Sequence, residues 1–275
     1  MKESFQVGHV NLGKGNPLFL IAGPCVIESE THCLMMAEQL KEIAARQSIP
    51  LIFKASFDKA NRTSLGSYRG PGLEKGLGIL GLVRNKLGLP VLTDIHQVSQ
   101  VAAAAQFVDC LQIPAFLVRQ TDLLIAAGRS GCPVNLKKAQ FLSPWDMEHA
   151  VNKVASTGCR KILVTERGSC FGYNNLVVDM RSFPIMARWG FPVIFDVTHS
   201  LQLPGGQGSA SGGQPEFIEP LAKAAVAAGV DGLFLEVHDN PSHALSDGAN
   251  SLPLASLENL LTNLLRIDAV VRSTR

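Results

Sequence analysis

The feature that most constrains the fold is a regular alternation of short apolar runs with longer segments of helical periodicity. The runs are rich in aliphatic and β-branched residues, and Gly or Pro often ends them. Hydrophobicity from end to end is typical of parallel strands that are buried on both faces. Eight strands are predicted, at Leu18–Gly23, Leu51–Ser56, Val91–His96, Cys110–Pro114, Pro133–Lys137, Lys161–Arg167, Val193–His199 and Gly232–His238.

Eight β/α units in a chain of 275 residues favour an α/β fold of the (β/α)8 TIM barrel type, predicted as one domain over residues 1–275. A doubly wound open sheet is the alternative. Before the first strand, the alternating segment Phe5–Leu12 predicts a short N-terminal β-hairpin that closes the bottom of the barrel. Ser143 followed by Pro144 predicts a helix N-cap with proline at the first helical position, and Gly229 predicts a helix end.

The composition is that of a compact globular protein, with 46% hydrophobic and 17% charged residues. A net charge of +2 and the lack of a Lys/Arg run argue against nucleic acid or a membrane surface as a partner. No apolar run approaches the ~20 residues that span a bilayer. The amino terminus does not resemble a secretory signal, so we expect a cytoplasmic protein. Its six cysteines include no C-x-x-C pair and should be mostly reduced.

Each predicted strand carries polar residues at its carboxyl end. In a TIM barrel these ends form one rim, which is where active sites of this fold lie. One polar strand end is easily explained by solvation, but a complete set around the barrel indicates a functional rim. The residues in question are Cys25, Lys54, Ser56, Asp94, His96, Gln112, Asn135, Lys137, Lys138, Glu166, Arg167, Asp196, His199, Glu236 and His238.

One cluster of these rim residues is cationic. Lysine and arginine side chains are costly to bring together unless an anion compensates them, and the planar guanidinium suits phosphate. The cluster therefore predicts small phosphorylated substrates. Its members are Lys54, Lys59, Arg62, Arg119, Lys137, Lys138 and Arg167, and for Lys59 and Lys138 an outward, solvated position is the main alternative.

A second cluster combines a thiol, an imidazole and two carboxylates, from Cys25, His199, Glu236 and Asp247. This donor set suits a divalent transition metal better than Mg²⁺ or Ca²⁺, which prefer oxygen ligands. It does not distinguish Fe²⁺, Zn²⁺, Mn²⁺ and Co²⁺. The four positions lie far apart and have no ligand-spacing signature, so a buried, inert Cys25 remains the alternative. His32 and His149 fall on predicted helices and are expected to be structural or exposed.

Several longer motifs closely resemble those of the 3-deoxy-D-manno-octulosonate 8-phosphate synthases, with matches from about residue 8 to about residue 270. The motifs are Phe53-Lys-Ala-Ser-Phe-Asp-Lys-Ala-Asn-Arg62, Tyr68-Arg-Gly-Pro-Gly72, Gln112-Ile-Pro-Ala-Phe116, Arg119-Gln-Thr-Asp122, Phe171-Gly-Tyr-Asn-Asn-Leu-Val-Val-Asp179 and Asp196-Val-Thr-His199.

The resemblance implies a (β/α)8 barrel, a homotetramer, and a transferase that condenses phosphoenolpyruvate with D-arabinose 5-phosphate and releases phosphate. The reaction is a step of lipopolysaccharide biosynthesis. One branch of the family uses a divalent metal, and the other has asparagine where this chain has Cys25. The cysteine implies the metal branch, and His199, Glu236 and Asp247 fall on the remaining ligand positions.

The resemblance also implies roles for the individual binding residues. Residues similar to the phosphoenolpyruvate site are Lys54, Ser56, Lys59, Gln112, Lys137, Gln140 and Arg167. Residues similar to the sugar-phosphate site are Asn61, Arg62, Thr63, Pro114, Ala115, Phe116 and Arg119, of which Arg119 resembles a residue that reaches a neighbouring subunit. The candidate catalytic residues are Cys25, Lys54, Asp94, His96 and His199, where Asp94 and His96 either handle protons and water or support other groups.

Three alternatives stay open at this point. A 3-deoxy-D-arabino-heptulosonate 7-phosphate synthase would use the same donor with erythrose 4-phosphate, although Lys59-Ala-Asn-Arg62 favours the five-carbon sugar. An aldolase could form a Schiff base on Lys54. A catalytically silent phosphosugar-binding barrel would need neither the metal-type cluster nor two anion sites.

Overall fold

The computed structural model describes residues 3–13, 15–62, 64–205 and 212–273. Eight parallel strands form a closed ring, in which each strand pairs with its two neighbours and the last strand pairs with the first. We number only these barrel strands. They are β1 (Phe19–Gly23), β2 (Leu51–Lys54), β3 (Val91–Asp94), β4 (Cys110–Ile113), β5 (Val134–Lys137), β6 (Ile162–Glu166), β7 (Val193–Asp196) and β8 (Gly232–His238).

The closed ring confirms the predicted TIM barrel and excludes the open, doubly wound sheet. All eight predicted strands are present, but several end two or three residues earlier than expected. The predicted strand Val91–His96 ends at Asp94, and Val193–His199 ends at Asp196. The residues beyond these ends leave the hydrogen-bonded ladder because the chain turns over the rim there, where their side chains form the site described below.

A helix follows each barrel strand, and together the helices surround the barrel. They are α1 (Glu30–Arg46), α2 (Leu73–Leu87), α3 (Val98–Phe107), α4 (Thr121–Arg129), α5 (Met147–Ala155), α6 (Ser182–Met186), α7 (Ile218–Ala227) and α8 (Leu254–Ser273). None of these helices, within the described part of the chain, is long and apolar enough to cross a membrane. All six cysteines are free, as expected.

Of the two predicted helix ends, the start at Ser143 and the stop at Gly229, only the second is confirmed. The predicted N-cap at Ser143 is wrong, because α5 begins only at Met147. Ser143 instead forms a turn before the helix, in which its backbone N–H and hydroxyl donate to Asp146 Oδ2 while the Asp146 N–H donates to the hydroxyl. The predicted end at Gly229 is confirmed, since α7 ends at Ala227 and Gly229 follows with a φ of +87°.

The hydrophobic core has two parts. The larger part lies between the strands and the surrounding helices. The smaller part fills the barrel interior and includes Ile52, Leu163 and Phe234, together with Val7 and Leu12 of the N-terminal hairpin. The hairpin strands, Ser4–Val7 and Val10–Gly13, are antiparallel, and the Glu3 N–H donates to Gly190 O just before β7. The hairpin therefore closes the amino-terminal end of the barrel, as predicted.

Helix α2 packs unusually closely against the loop that follows β2. A Cβ placed on Gly76 would overlap Phe57 Cβ and lie 3.1 Å from Phe57 Cα, and Phe57 is itself buried. Gly78 lies on the opposite, exposed side of the same helix, where a Cβ would meet no atom within 4 Å. The absence of a side chain is therefore required at one glycine and not at the other.

We predict opposite effects of alanine at these two positions. Gly76→Ala should lower the free energy of unfolding by about 1–3 kcal/mol, because overpacking displaces Phe57 and the loop after β2. Gly78→Ala should raise it by about 0.5–1 kcal/mol, because alanine is the better helix former. Urea unfolding followed by circular dichroism measures both values. A Gly76→Ala protein at least as stable as Gly78→Ala would contradict the packing described here.

Candidate active site

A cavity of about 670 Å³ opens at the carboxyl-terminal mouth of the barrel. The segments that follow β2 through β8 line it, whereas Cys25, which follows β1, is buried and is not part of the lining. The lining includes most of the predicted site residues, namely Lys54, Lys59, Asn61, Arg62, Asp94, His96, Gln112, Pro114, Ala115, Phe116, Lys137, Gln140, Arg167, His199 and Asp247.

Three of the four predicted metal ligands lie close together beside this cavity, and the fourth, His199, contacts two of them. Single ligand atoms of Cys25, Glu236 and Asp247 lie within 4.8 Å of one another. His199 Nε2 is 3.3 Å from Glu236 Oε1 and 4.0 Å from Asp247 Oδ2. The Cys25 Sγ is 3.3 Å from Asp247 Oδ2. Residues separated by more than 200 positions in the chain thus form one compact group.

The Gly-Pro turn after β1 explains how Cys25 reaches this group. Gly23 packs so closely against β2 that a Cβ there would overlap the carbonyl oxygen of Lys54. Beyond the turn, Val26 forms an isolated parallel bridge to Ser56, and the Lys54 ammonium donates to the Cys25 carbonyl at 2.9 Å. The chain is therefore held against β2 on both sides of Cys25, which directs the thiol toward the barrel axis.

The donor set fits a divalent transition metal on the evidence of its own atoms. Glu236 Oε2 is buried and has no hydrogen-bond partner among the described residues. His199 Nδ1 lies 2.8 Å from Asp196 Oδ2, an arrangement that orients the imidazole and leaves Nε2 facing the group. Burial, together with Asp247 and Glu236, raises the pKa of Cys25 well above its usual range. The thiol therefore keeps its proton until a cation replaces it.

A wall of buried cations adjoins this group. Lys54, Lys137 and Arg167 are each at most 5% exposed. Lys137 contacts Asp196 and lies 3.4 Å from the centroid of the Phe234 ring. Burial lowers the pKa of Lys137 to about 8, and nearby Arg167 and Lys54 act in the same direction against the opposing effect of Asp196. The ammonium is therefore still mostly protonated at neutral pH, but it loses its proton more easily than an exposed lysine does.

An unsatisfied polar atom marks where an anion would bind on this wall. One guanidinium nitrogen of Arg167, Nη2, donates to Gln202 Oε1 at 2.7 Å. The other, Nη1, is buried without a partner in the described structure. A buried donor without a partner is costly and indicates an absent ligand, here one with acceptor oxygens.

Asp94 is anionic and lies at the base of the cavity. Burial alone would raise its pKa, but Lys54, His96 and Lys59 outweigh burial and hold the pKa well below its usual range. Ser56 donates to Asp94 Oδ1 at 2.7 Å, and His96 Nε2 lies 3.5 Å from Asp94 Oδ2. Asp94 can therefore accept a hydrogen bond or orient a water molecule, but it has no proton to give.

The predicted sugar-phosphate residues are only partly brought together. Asn61, Arg62 and the turn Pro114–Phe116 line the cavity, and Arg62 Nη1 donates to Ser246 Oγ at 2.7 Å. Thr63 lies outside the described residues. Arg119 is exposed and does not line the cavity of its own chain.

One member of the predicted cationic cluster does not face the cavity. Lys138 is neither solvated nor part of the wall but fully buried behind it. Its ammonium donates to the carbonyls of Ala139, Leu142 and Gly168 and lies 3.2 Å from Glu166 Oε1. Including Lys138 among the anion-binding residues was therefore wrong. The next residue along a strand faces the opposite side, so Lys137 faces the cavity and Lys138 faces away.

Sequence reasoning missed the roles of three residues that connect the two sides of the site. Asp196 contacts both Lys137 and His199, Gln202 accepts from Arg167, and Ser246 Oγ lies between Arg62 and Cys25 Sγ, 3.1 Å from the sulfur. For Ser246 a signal was available in the sequence, because it directly precedes the predicted metal ligand Asp247. Lys137 and Arg167, which contact Asp196 and Gln202 respectively, follow other strands, so these two contacts have no sequence signal.

A second group of potential metal ligands lies outside the cavity and consists of Glu28, His32 and His238. Three of its four ring nitrogens have partners: His32 Nε2 is 2.9 Å from Asp239 Oδ1, His238 Nε2 is 3.2 Å from Glu28 Oε1, and His238 Nδ1 accepts the Asn240 N–H. His32 Nδ1 is buried and has no hydrogen-bond partner among the described residues. His32 is thus structural, as expected, and His149 is exposed on α5.

Comparison with known proteins agrees with this geometry. A 2-dehydro-3-deoxyphosphooctonate aldolase of Geobacter metallireducens is 61% identical over 272 residues, which cover 99% of this chain and 100% of the relative. Proteins with the same name from Trichlorobacter lovleyi and Syntrophotalea carbinolica are each 60% identical, over 99% of this chain and 100% and 98% of the relatives. The profile of the DAHP synthetase I family matches residues 2–271. The chain therefore belongs to the DAHP synthetase I family, within which its full-length relatives are 2-dehydro-3-deoxyphosphooctonate aldolases.

Proposed function

We propose that this chain condenses phosphoenolpyruvate with D-arabinose 5-phosphate to form 3-deoxy-D-manno-octulosonate 8-phosphate and phosphate, as a 3-deoxy-8-phosphooctulonate synthase. The observation that carries the proposal is one cavity containing both a wall of buried cations and a thiol, imidazole and carboxylate group. Full-length relatives named for this product favour it over the heptulosonate alternative. A silent binding barrel would need neither the buried thiol nor the unsatisfied Glu236 oxygen.

The buried cations account for recognition of phosphoenolpyruvate. Arg167 Nη1, Lys137 and Lys54 supply donors for its phosphate and carboxylate oxygens. Gln112, Gln140, Lys59 and Ser56 complete the proposed site at the strand ends. Holding this donor in register with the second substrate converts a bimolecular encounter into an intramolecular step, which in favourable cases lowers a barrier by about 7–11 kcal/mol.

In the reaction, carbon 3 of phosphoenolpyruvate attacks the sugar aldehyde, water adds at carbon 2, and phosphate leaves by C–O cleavage. Charge moves from the enol phosphate toward the aldehyde oxygen, so electrostatic stabilisation dominates. Asp94, as a carboxylate supported by Ser56 and His96, orients the attacking water and accepts its hydrogen bond. Lys54 is not a Schiff-base residue in this scheme, because its ammonium is paired with Glu236 and the Cys25 carbonyl.

Cys25, His199, Glu236 and Asp247 would hold a divalent transition metal. That metal would supply Lewis-acid polarisation and fix the orientation of the sugar. The chain's own contribution is positional: Asp196 orients His199, and Ser246 connects Cys25 with Arg62 of the sugar-phosphate side. The identity of the metal is left among Fe²⁺, Zn²⁺, Mn²⁺ and Co²⁺, since this ligand set accepts each of them.

The active unit that we propose is a cytoplasmic homotetramer of single-domain subunits that serves lipopolysaccharide biosynthesis. Large aromatic side chains are exposed around the carboxyl-terminal mouth, and an assembly would cover them. They are Phe116, Phe141, Trp145, Phe171 and Tyr173. Arg119, exposed just after Phe116, fits the proposed role of reaching a neighbouring subunit's sugar phosphate.

The substrate assignment predicts a preference between two aldehydes. Phosphate release from phosphoenolpyruvate should be at least about tenfold faster, as kcat/KM, with D-arabinose 5-phosphate than with erythrose 4-phosphate, because a fitted contact worth ~1.4 kcal/mol gives that factor. A coupled phosphate assay measures both rates on one preparation. Faster turnover of erythrose 4-phosphate would reject the octulosonate assignment, and no phosphate release with either sugar would favour the silent barrel.

The metal assignment predicts that Cys25→Ala loses both metal and turnover. Removing one of four ligands should reduce bound metal in elemental analysis, and activity should fall by at least about 100-fold, since loss of even a supporting residue costs 10–100-fold. Chelation of the native protein should have the same effect, and added metal should reverse it. Cys159→Ala, at a partly buried cysteine before β6, is the matched control and should stay active. Full turnover after complete removal of metal would refute the assignment.

The lowered pKa of Lys137 predicts that phosphoenolpyruvate binding takes up a proton. The free ammonium has a pKa of about 8, and a bound anion raises this pKa. The affinity for phosphoenolpyruvate should therefore be highest below pH 8 and fall as the pH rises from 8 toward the raised pKa. One pH unit above 8, uptake should approach one proton. Calorimetry in two buffers with different ionisation enthalpies measures it. Lys137→Arg, which stays charged, should abolish the uptake, and a buffer-independent enthalpy for the native protein would contradict it.

A further inference from the structure

We propose that Glu28 is a positioning residue that holds the segment between β8 and α8, so that Asp247 and Ser246 face the cavity. It would thereby support metal binding and recognition of the sugar phosphate without contributing to the phosphoenolpyruvate site. The inference rests on the proposed function and extends it to a residue outside the cavity.

The Glu28 carboxylate joins two points of that segment. Its Oε1 accepts the backbone N–H of Leu245 at 2.8 Å and lies 3.2 Å from Nε2 of His238, the last residue of β8. His238 Nδ1 accepts the Asn240 N–H at 3.0 Å and also lies 3.1 Å from Asp239 Oδ1. With Nδ1 accepting from Asn240, the ring proton is on Nε2 and is donated to Glu28. One oxygen atom thus anchors the segment at its start and again immediately before Ser246 and Asp247.

Glu28 is itself held in place from the other side of the mouth. The Tyr68 hydroxyl is 3.0 Å from the Ile27 carbonyl oxygen and 3.3 Å from that of Glu28. Tyr68 belongs to the segment between β2 and α2, which also carries Arg62. Ser29, the next residue, caps α1 by accepting the His32 N–H. Glu28 therefore projects from a fixed stretch of backbone, as a residue that positions another segment must.

The anchored segment needs such support because of its backbone conformation. Asp247 has a φ of +50°, one of only three non-glycine residues with positive φ in the described chain. This left-handed conformation is unfavourable for most residues with a Cβ, and it persists where surrounding contacts impose it. The Leu245 N–H bond to Glu28 is the contact two residues before this position.

The conformation matters because this segment makes three contacts of the site. Ser246 Oγ accepts a hydrogen bond from Arg62 Nη1 at 2.7 Å and lies 3.1 Å from Cys25 Sγ. Asp247 Oδ2 lies 3.3 Å from the same sulfur. The contacts of Arg167, Lys137 and Gln202 on the cation wall do not involve this segment. Release of the segment would therefore disturb the metal and sugar side alone.

Three substitutions of Glu28 test separately the position of its carboxylate and its negative charge. Glu28→Ala removes the acceptor, and Glu28→Asp keeps the charge but withdraws the carboxylate by one methylene. Glu28→Gln keeps the reach and an acceptor oxygen without the charge. Glu38→Gln, at an exposed glutamate of α1, is the matched control. The measurements are Co²⁺ affinity by competition with a chelator, KM for each substrate, and phosphoenolpyruvate binding by calorimetry.

Glu28→Ala and Glu28→Asp should weaken Co²⁺ binding by about 10–100-fold, the range for residues that orient metal ligands. They should raise the KM for D-arabinose 5-phosphate about tenfold and leave phosphoenolpyruvate binding within about twofold, which also shows that the proteins are folded. Glu28→Gln and Glu38→Gln should stay within about threefold of the native protein. Should Glu28→Ala fail to fold, Glu28→Asp carries the test.

Several results would overturn the proposal. These are unchanged Co²⁺ affinity in Glu28→Asp, equal weakening of both substrates, or Glu28→Gln as defective as Glu28→Ala. Loss of one of two bound Co²⁺ ions, with the remaining affinity intact, would instead assign a metal to Glu28, His32 and His238. If the native protein is inactive on D-arabinose 5-phosphate, the proposed function is rejected. The role of Glu28 can still be tested in that case, because Co²⁺ affinity is measured without turnover.

Discussion

The buried carboxylate of Glu236 is the charge around which the mouth of the barrel is organised. Glu236 is fully buried at the end of β8, and three basic groups surround one of its oxygens: His199 at 3.3 Å, Lys54 at 3.5 Å and Lys59 at 3.6 Å. Burial alone would raise its pKa, but these groups lower it to about 2. Removing one partner of a buried ion pair typically lowers the free energy of unfolding by ~3–5 kcal/mol. Glu236 and its three basic neighbours therefore stabilise one another.

Asp196 extends this charge network across the barrel. It contacts Lys137 of the cation wall and His199 of the metal group, and its pKa is held well below the usual range because His199, Lys137 and Arg167 outweigh its burial. Asp196 therefore joins the two functional sides of the cavity. A substitution of Asp196 itself should be felt on both sides, which is a reason to measure binding of the two substrates separately.

A further layer of buried polar contacts lies behind the cavity and fixes the segments that form it. Lys138 joins the segment after β5 to that after β6 through Gly168 and Glu166. Glu166 Oε1 also accepts the backbone N–H groups of Arg167 and Gly168, which sets the direction in which Arg167 leaves the strand. Glu28 has the corresponding position on the metal side. The cavity thus depends on ion pairs and carboxylates that never face a substrate.

Much of this arrangement could be predicted from the chain alone. Eight apolar runs separated by helical segments predicted parallel strands buried under helices and favoured a barrel over an open sheet, because a closed ring of eight strands has no exposed edges. The polar ends of those runs predicted which residues surround the mouth, from Lys54 to His199. The long motifs predicted the family, which the full-length relatives confirm.

What the sequence by itself determined, then, is the barrel, the rim and the identity of most residues that line it. Only the tertiary structure decided that Lys137 faces the cavity while Lys138 is buried behind it, that Asp196 joins both sides, and that Glu28 reaches Leu245 across 217 positions of the chain. The physical reason is that hydrophobic periodicity depends on residues that are close together in the chain, so it can be recognised directly in the sequence. The pairing of buried charges depends on distances of about 3 Å between strands that are remote in sequence, at which a charge-assisted hydrogen bond forms.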